Sequence, residues 1–338
     1  MALPSIVGWS ALSPWGSGRR EFIEGLSEPD SGRLRPLPGW DELAAAMGGQ
    51  GTRTLDRMTL MVIATSGAVL SEHAARLGGA AGSVGLVVGT SMGCVNSTVS
   101  FIRDTFVHAK PYFVEPMLFP NTVMNGAAGH TAIWHGLRGL NSTIAAGHLT
   151  GLAAIRYGTR MIRHGYARRL LVGCVEESSA PVMAAARALR RSSVDGLPPL
   201  GEGCVMFLLD GEPQGCGLGE VVDFETGVAL GSAEERLAGC LRDLLPRNGV
   251  APAEPWLVSL AHGEGTPLGA IERAAVSAVV PGVRQIAVAD RLGDCFSAQG
   301  AFQLAAVLAL AERESRTGPA LITSVGADGA VGAALVRT

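Results

Sequence analysis

Three stretches of this sequence carry side chains whose type and spacing suit acid–base or covalent chemistry. The first is GLNSTIAAGHLTG at 139 to 151, where an apolar strand-like start, a small-residue turn and a fresh helix follow one another with His148 at the bend. Such a turn exposes a side chain at a helix N-terminus, where unpaired N–H donors and the positive dipole end favour a nucleophile or a developing anion. The second is GTSMG at 89 to 93, which places Ser91 in a G-x-S-x-G pattern after the apolar run VGLVV. A hydrolase built on Ser91 would need an acid before its histidine, and Asp210 or Asp223 ahead of His262 fills that order. With 46 glycines in 338 residues, a five-residue match is cheap, and a Gly-rich turn packed against backbone is the preferred reading. The third is HGEGTPLG at 262 to 269, where His262 leaves an apolar strand into a Gly-rich loop with a Thr-Pro turn and can aim a ring nitrogen into a cleft.

Other candidate chemistry is weaker. His130 and His135 are five apart and do not share a helix face, so no metal site is expected. GCGLGE at 215 to 220 lacks the third glycine of a dinucleotide fingerprint, and Lys110, the only lysine, lies outside any phosphate loop, so no cofactor is expected.

The elements that must position these residues alternate between strand and helix. A strand near Ser5 to Trp9 leads into a polar, Gly- and Pro-rich stretch, SPWGSGRREFIEGLSEPDSGRLRPLPGW, expected to run over the surface. Helical periodicity runs from Leu55 to about Leu77, VGLVVGT is a buried strand, and helices are expected over Val99 to Val107 and within FPNTVMNGAAGHTAIWHGLRG. Ser142 to Ala145 then forms a strand and a helix runs to His164; LLVGCVE and VMFLLD are two more buried strands. After a Pro/Gly-rich joint, DGEPQGCGLGE, strands near 219, 256, 285, 320 and 332 alternate with helices near 232 to 245, 268 to 279 and 298 to 313. The second half repeats the rhythm of the first, an α/β layer pattern.

Bulk composition bounds the rest. Hydrophobic residues make up 47% and charged residues 17%, which suits a core-rich scaffold. A net charge of -3 leaves no basic footprint for nucleic acid. Six cysteines without a C-x-x-C pair read as reduced core thiols, and neither a signal segment nor a bilayer-spanning run stands out, so a cytoplasmic protein with no membrane partner is expected.

Taken in order, RTLDRMTLMVIATSGAVL, VGLVVGTSMG, the long stretch from FPNTVMNGAAGH to LLVGCVEESS, LGEGCVMFLLD, AHGEGTPLG, FSAQGAFQLAAVLALAE and SVGADGAVGAALV resemble the β-ketoacyl-acyl carrier protein synthases. These are the condensing enzymes of fatty acid and polyketide assembly. The resemblance implies a thiolase-type, five-layered αβαβα fold of two similar halves, 1–215 and 216–338, in one compact dimeric unit.

The resemblance also implies an active site, and here the sequence departs from it. The family uses a cysteine on the strand-to-helix turn as acyl acceptor, two histidines that promote malonyl decarboxylation, and a supporting lysine. His148 stands where the cysteine is expected, and His262 matches the first histidine. Asp294, after Gly293, stands where the second histidine is expected, and no histidine follows 262. The lysine is missing, with Ala289 or Asp290 in its region; Gly269 and Ala270 replace the aspartate after the His262 loop, and Ala327 occupies the gate position in VGADG.

Condensation and simple decarboxylation are therefore both disfavoured, since Asp294 would repel a developing enolate. The expected role is that of a chain-length factor. Such a subunit forms a heterodimer with a cysteine-containing ketosynthase, the alternative being a homodimer, and meets an acyl carrier protein bearing a phosphopantetheine-linked chain. The segment FPNTVMNGAAGHTAIWHG is the expected dimer surface. The other reading is an enzyme rebuilt on His148, His262 and Asp294 that transfers, hydrolyses or dehydrates a carrier-bound acyl group.

Overall fold

The computed structural model describes residues 3–28, 35–78, 80–192, 199–212 and 217–338. Eleven strands are described: β1 (Ser5–Ser13), β2 (Gly16–Ser17), β3 (Gly85–Gly89), β4 (Asn141–Ile144), β5 (Arg169–Glu176), β6 (Gly203–Asp210), β7 (Gly219–Val228), β8 (Leu257–Leu260), β9 (Gln285–Ala287), β10 (Pro319–Val325) and β11 (Ala330–Arg337). The order β4-β3-β5-β6-β1 in the first half reappears in the second as β9-β8-β10-β11-β7. Each half pairs its first three strands in parallel and its last two junctions antiparallel. The two five-stranded units join where β1 meets β7, Ser5 opposite Glu220 and Ile6 opposite Gly219. The division expected between residues 215 and 216 lies outside the described residues.

Buried strands explain the unbroken apolar runs, because successive side chains enter different cores. On β5, Leu170, Val172 and Cys174 point into a central core shared by both halves, while Leu171 and Val175 enter an outer core under the helix Arg57–Glu72. On β11, Ala334 and Val336 face the central core, and Val331, Ala333 and Leu335 face a second outer core under the helices Ala233–Arg247 and Pro267–Val279. Helix, sheet, helix, sheet, helix: three cores between five layers give the αβαβα arrangement.

The middle layer is made by the helices Thr150–Arg163 and Gln299–Arg313. A Cβ on Gly151 would stand 2.8 Å from both the Ala301 nitrogen and the Gly300 Cα, so glycine against glycine lets the two helix starts touch. The turn ahead of each start carries one of the candidate residues, His148 and Asp294.

The structure corrects the reading of residues 13 to 40 as a surface excursion. Arg19–Gly25 forms a helix whose Phe22 is fully buried, edge-on to Trp9 and Trp15 and stacked on Phe302. A polar composition hid one aromatic anchor. The helix from residue 57 also breaks at His73, after which a short turn runs from Ala74 to Leu77. A further helix, Ala180–Ser192, follows β5.

Candidate functional site

Local geometry makes the bend at His148 obligatory. Gly147 has φ +56, the left-handed region that glycine occupies without strain. Thr150 Oγ1 then ties the turn together, accepting from the Ala146 N–H at 2.8 Å and lying 2.7 Å from the Gly147 carbonyl oxygen. Ser91 completes that knot, with its Oγ 2.6 Å from Thr150 Oγ1 and 3.2 Å from the Gly147 carbonyl. The Ser91 hydroxyl is thus spent on backbone and threonine, which accounts for GTSMG as a packing turn.

His148, His262 and Asp294 meet in one place. The imidazoles of His148 and His262 have ring centroids 5.3 Å apart, and His148 Nε2 lies 3.8 Å from Asp294 Oδ2. Phe296 stands edge-on to the His148 ring at 4.3 Å between centroids. Phe296 has φ +48, a conformation costly for a side-chain-bearing residue, and Asp294 Oδ1 fixes it by accepting the Phe296 N–H at 2.8 Å. Asp294 itself is held on both sides of its backbone, its N–H donating to Pro199 and its carbonyl accepting from Gly201.

His262 is 4% exposed and its Nε2 lies 2.5 Å from the Val325 carbonyl oxygen. A carbonyl can only accept, so the proton sits on Nε2 and is committed to the scaffold. Burial lowers the His262 pKa, and the neighbouring His148 works in the same direction. Burial opposes the Asp294 carboxylate, but His148, the Phe296 N–H and His262 together outweigh it and hold its pKa below the ordinary aspartate range.

Two buried carboxylates that the sequence reading passed over shape this cleft. Glu272, on the helix after the His262 loop, accepts the N–H groups of Ala261 and His262 at 3.0 Å each and the Thr323 hydroxyl at 2.6 Å. Burial raises its pKa to about 7. Glu176, at the end of β5, accepts from the Ser91 N–H at 2.7 Å, the Met92 N–H at 3.2 Å, Thr90 and the Ser297 hydroxyl, and burial raises its pKa too. Glu176 is the last residue of the apolar strand β5, and Glu272 lies on the helix Pro267–Val279. An acidic residue inside such a run was the available signal.

Among the described residues, thiols offer no substitute for the expected cysteine. Cys94, Cys174, Cys204, Cys240 and Cys295 are all buried and unbridged, and Cys216 lies outside the described residues. Cys295, next to Asp294, is fully buried, and burial pushes its thiol far above the ordinary range. Among the described residues no group of three or more His, Cys, Asp or Glu side chains is arranged to hold a metal ion. Among the described residues no helix is long and apolar enough to cross a membrane.

A cavity of about 590 Å³ opens beside the His148 turn, lined in part by Ile144, Ala146, Leu149, Leu152, Tyr157 and Phe224. The helix Val95–Val107 buries none of its residues, and Val99, Ile102 and Phe106 recur at helical spacing on one exposed face. Tyr112, Phe113, Met117 and Phe119 continue that apolar surface from the following segment.

A five-layered αβαβα fold with paired helix starts at a central cleft defines the class of thiolase-like, ketosynthase-type proteins. Residues 32–214 match the family model described as the β-ketoacyl synthase N-terminal domain, and the chain belongs to the β-ketoacyl synthase family. It is 33% identical over 114 residues to 3-oxoacyl-[acyl-carrier-protein] synthase 2 of Vibrio harveyi, a stretch that covers 34% of this chain and 26% of that protein. Among solved structures it is similar to the ishigamide ketosynthase/chain length factor, with 34% identity, a TM-score of 0.85 and 99% of both chains covered. The fold is shared with the ketosynthase of the AntDE:AntF complex, a type II polyketide synthase assembly, at 17% identity, a TM-score of 0.80 and 99% of both chains covered.

Proposed function

We propose that this protein is the chain-length-factor subunit of a type II polyketide or fatty-acid-type assembly system. It pairs with a cysteine-containing ketosynthase and meets the acyl chain carried on an acyl carrier protein. The observation that carries this reading is the approach of His148 and Asp294 to 3.8 Å, at the positions where the resemblance implies the acyl acceptor and the second histidine. An acyl-imidazole hydrolyses readily and cannot store a chain, and Asp294 opposes any enolate that would form beside it. His262, the remaining family residue, has its proton bound to Val325.

The partner reading is supported by the helix Val95–Val107, which has no buried residue and an apolar exposed face. A face of that kind is unfavourable in water and is stabilised by a second subunit. The similar ishigamide structure is a ketosynthase/chain length factor, and the AntDE:AntF structure holds an acyl-carrier protein with its ketosynthase. The cavity beside the His148 turn gives a growing chain an apolar wall. Co-expression with a cysteine-bearing ketosynthase tests the proposal: the two copurify as a heterodimer, and product disappears when this subunit is left out. A stable homodimer that makes product alone overturns it.

A second reading follows from the same pair. Asp294 is placed to orient His148 as a general base toward a carrier-bound substrate, a rebuilt acyl transfer, hydrolysis or dehydration site. His148→Gln separates the two, because a general base loses activity and a chain-length factor keeps it.

A further inference from the structure

The helix Thr150–Arg163 leaves one face uncovered. Arg156, Arg160 and Arg163 follow one another there at i, i+4 and i+7, the first half-buried and the other two exposed. None of the three guanidinium groups has a hydrogen bond or an ion pair among the described residues. Helix chemistry does not account for the stripe. The N–H groups of His164, Gly165 and Tyr166 already donate to the carbonyls of Arg160, Ile162 and Met161, so no guanidinium is needed as a cap. The helix dipole favours a cation in the last turn, but Arg156 stands well before it, and like charges at this spacing oppose one another.

Two cavities meet along the stripe. Arg156, Arg160 and Phe224 line both the apolar cavity of about 590 Å³ and a more polar one of about 370 Å³, which also holds Thr159, Arg163 and His164. The one carboxylate that borders them, Asp223, is taken by Arg247 and by Asn248, each at 2.8 Å. The face is therefore an apolar slot rimmed by cations, with no free anion among its lining residues. It runs on to an open sheet edge, because Ile144 of β4 lines the slot and β4 pairs only with β3.

A second copy of this chain fits such a surface badly. In a two-fold contact the patch meets itself, and whichever group each arginine then reaches, no free carboxylate is among them. Guanidinium groups taken from water without a partner are costly, so the surface favours a neighbour that brings carboxylates and rejects one that brings more cations. We propose that the stripe Arg156, Arg160 and Arg163 docks carboxylate side chains of the cysteine-bearing ketosynthase and selects that subunit over a second copy of this chain. The proposal rests on the chain-length-factor reading.

Sedimentation velocity on the full chain mixed with the ketosynthase tests it. The heterodimer dissociation constant rises at least about tenfold from 50 mM to 500 mM sodium chloride. Arg160→Glu combined with Arg163→Glu weakens binding at least about a hundredfold, and the charge-keeping pair Arg160→Lys and Arg163→Lys binds at least about tenfold more tightly than the glutamate pair. Should the glutamate variant fail to fold, Arg160→Ala, weakened about tenfold, and the salt dependence of the wild type decide. No heterodimer from the wild type overturns the chain-length-factor reading and this proposal with it. A wild-type heterodimer that is insensitive to salt, or that the folded glutamate variant forms equally well, overturns the proposal alone. So does a wild-type homodimer that the same glutamate substitutions dissociate.

Discussion

His148 Nε2 and Asp294 Oδ2 stand 3.8 Å apart across the meeting point of two helix starts, with the edge of Phe296 closing the gap. We propose that the pair occupies the place where the family's nucleophile and second histidine would meet. His148→Cys alone therefore leaves condensing activity at background in a radiolabelled malonyl assay, because Asp294 still faces the new thiol and no second histidine is present. The thiol should nevertheless be alkylated by iodoacetamide, which reports that the turn is open to reagents. Recovery of condensation by the single substitution would show that Asp294 does not block it.

The apolar face of the helix Val95–Val107 is expected to carry the association. Phe106 is 81% exposed, so Phe106→Asp should leave the thermal midpoint of the isolated subunit almost unchanged. Burial of such a ring contributes about 1.5–3 kcal/mol, so the variant should bind the ketosynthase at least about tenfold more weakly. Sedimentation velocity on the mixed subunits checks both parts. Undiminished assembly would move the interface elsewhere.

Phe22 is expected to be a stability residue with no part in association. It is fully buried among Trp9, Trp15 and Phe302, with ring centroids at 5.5, 4.8 and 6.0 Å. Phe22→Ala should cost about 3–5 kcal/mol in denaturant unfolding, the range for truncating a packed aromatic. A cost below about 1 kcal/mol would mean that the helix Arg19–Gly25 is not docked.

Glu272 gives a pH dependence whose sign is fixed. Its pKa rises from 4.5 to about 7 on folding, so between those values the folded state holds more protons than the unfolded state. Stability from this group is present below the unfolded pKa and is lost as pH rises through the folded one. A shift of that size is worth about 3 kcal/mol. The stability difference between wild type and Glu272→Gln should therefore fall by about that amount from pH 4.5 to pH 8, as read by urea unfolding across the series. A flat difference would mean that Glu272 ionises normally.

Much of the fold was legible in the sequence because its strands are buried on both faces. Residues such as Leu170 to Val175 on β5 form an unbroken apolar run, and no other placement removes both alternating sets from water. The helix from Arg57 was legible from its 3.6-residue period, whereas its Asp56 cap is a finding of the structure. Phe22 was not, since one aromatic in a polar seven-residue helix has no period to reveal it. Glu176 and Glu272 were hidden for a related reason: an acid in an apolar segment gains meaning only from the donors that surround it, and those come from residues as distant as Ser297 and Thr323.

By itself, then, the sequence determined the alternation of elements and the αβαβα family, because these are properties of local pattern and residue identity; that His148 and Asp294 replace a cysteine and a histidine is our proposal from the resemblance. Tertiary structure decided how His148, His262 and Asp294 are arranged. Only the close approach of Gly151 to Gly300 brings His148 and Asp294, distant in sequence, within reach of one another. Only the fold assigns the His262 proton to Val325 and the Ser91 hydroxyl to Thr150. Hydrogen bonds and charges act over a few ångströms, and which groups come that close is set by packing.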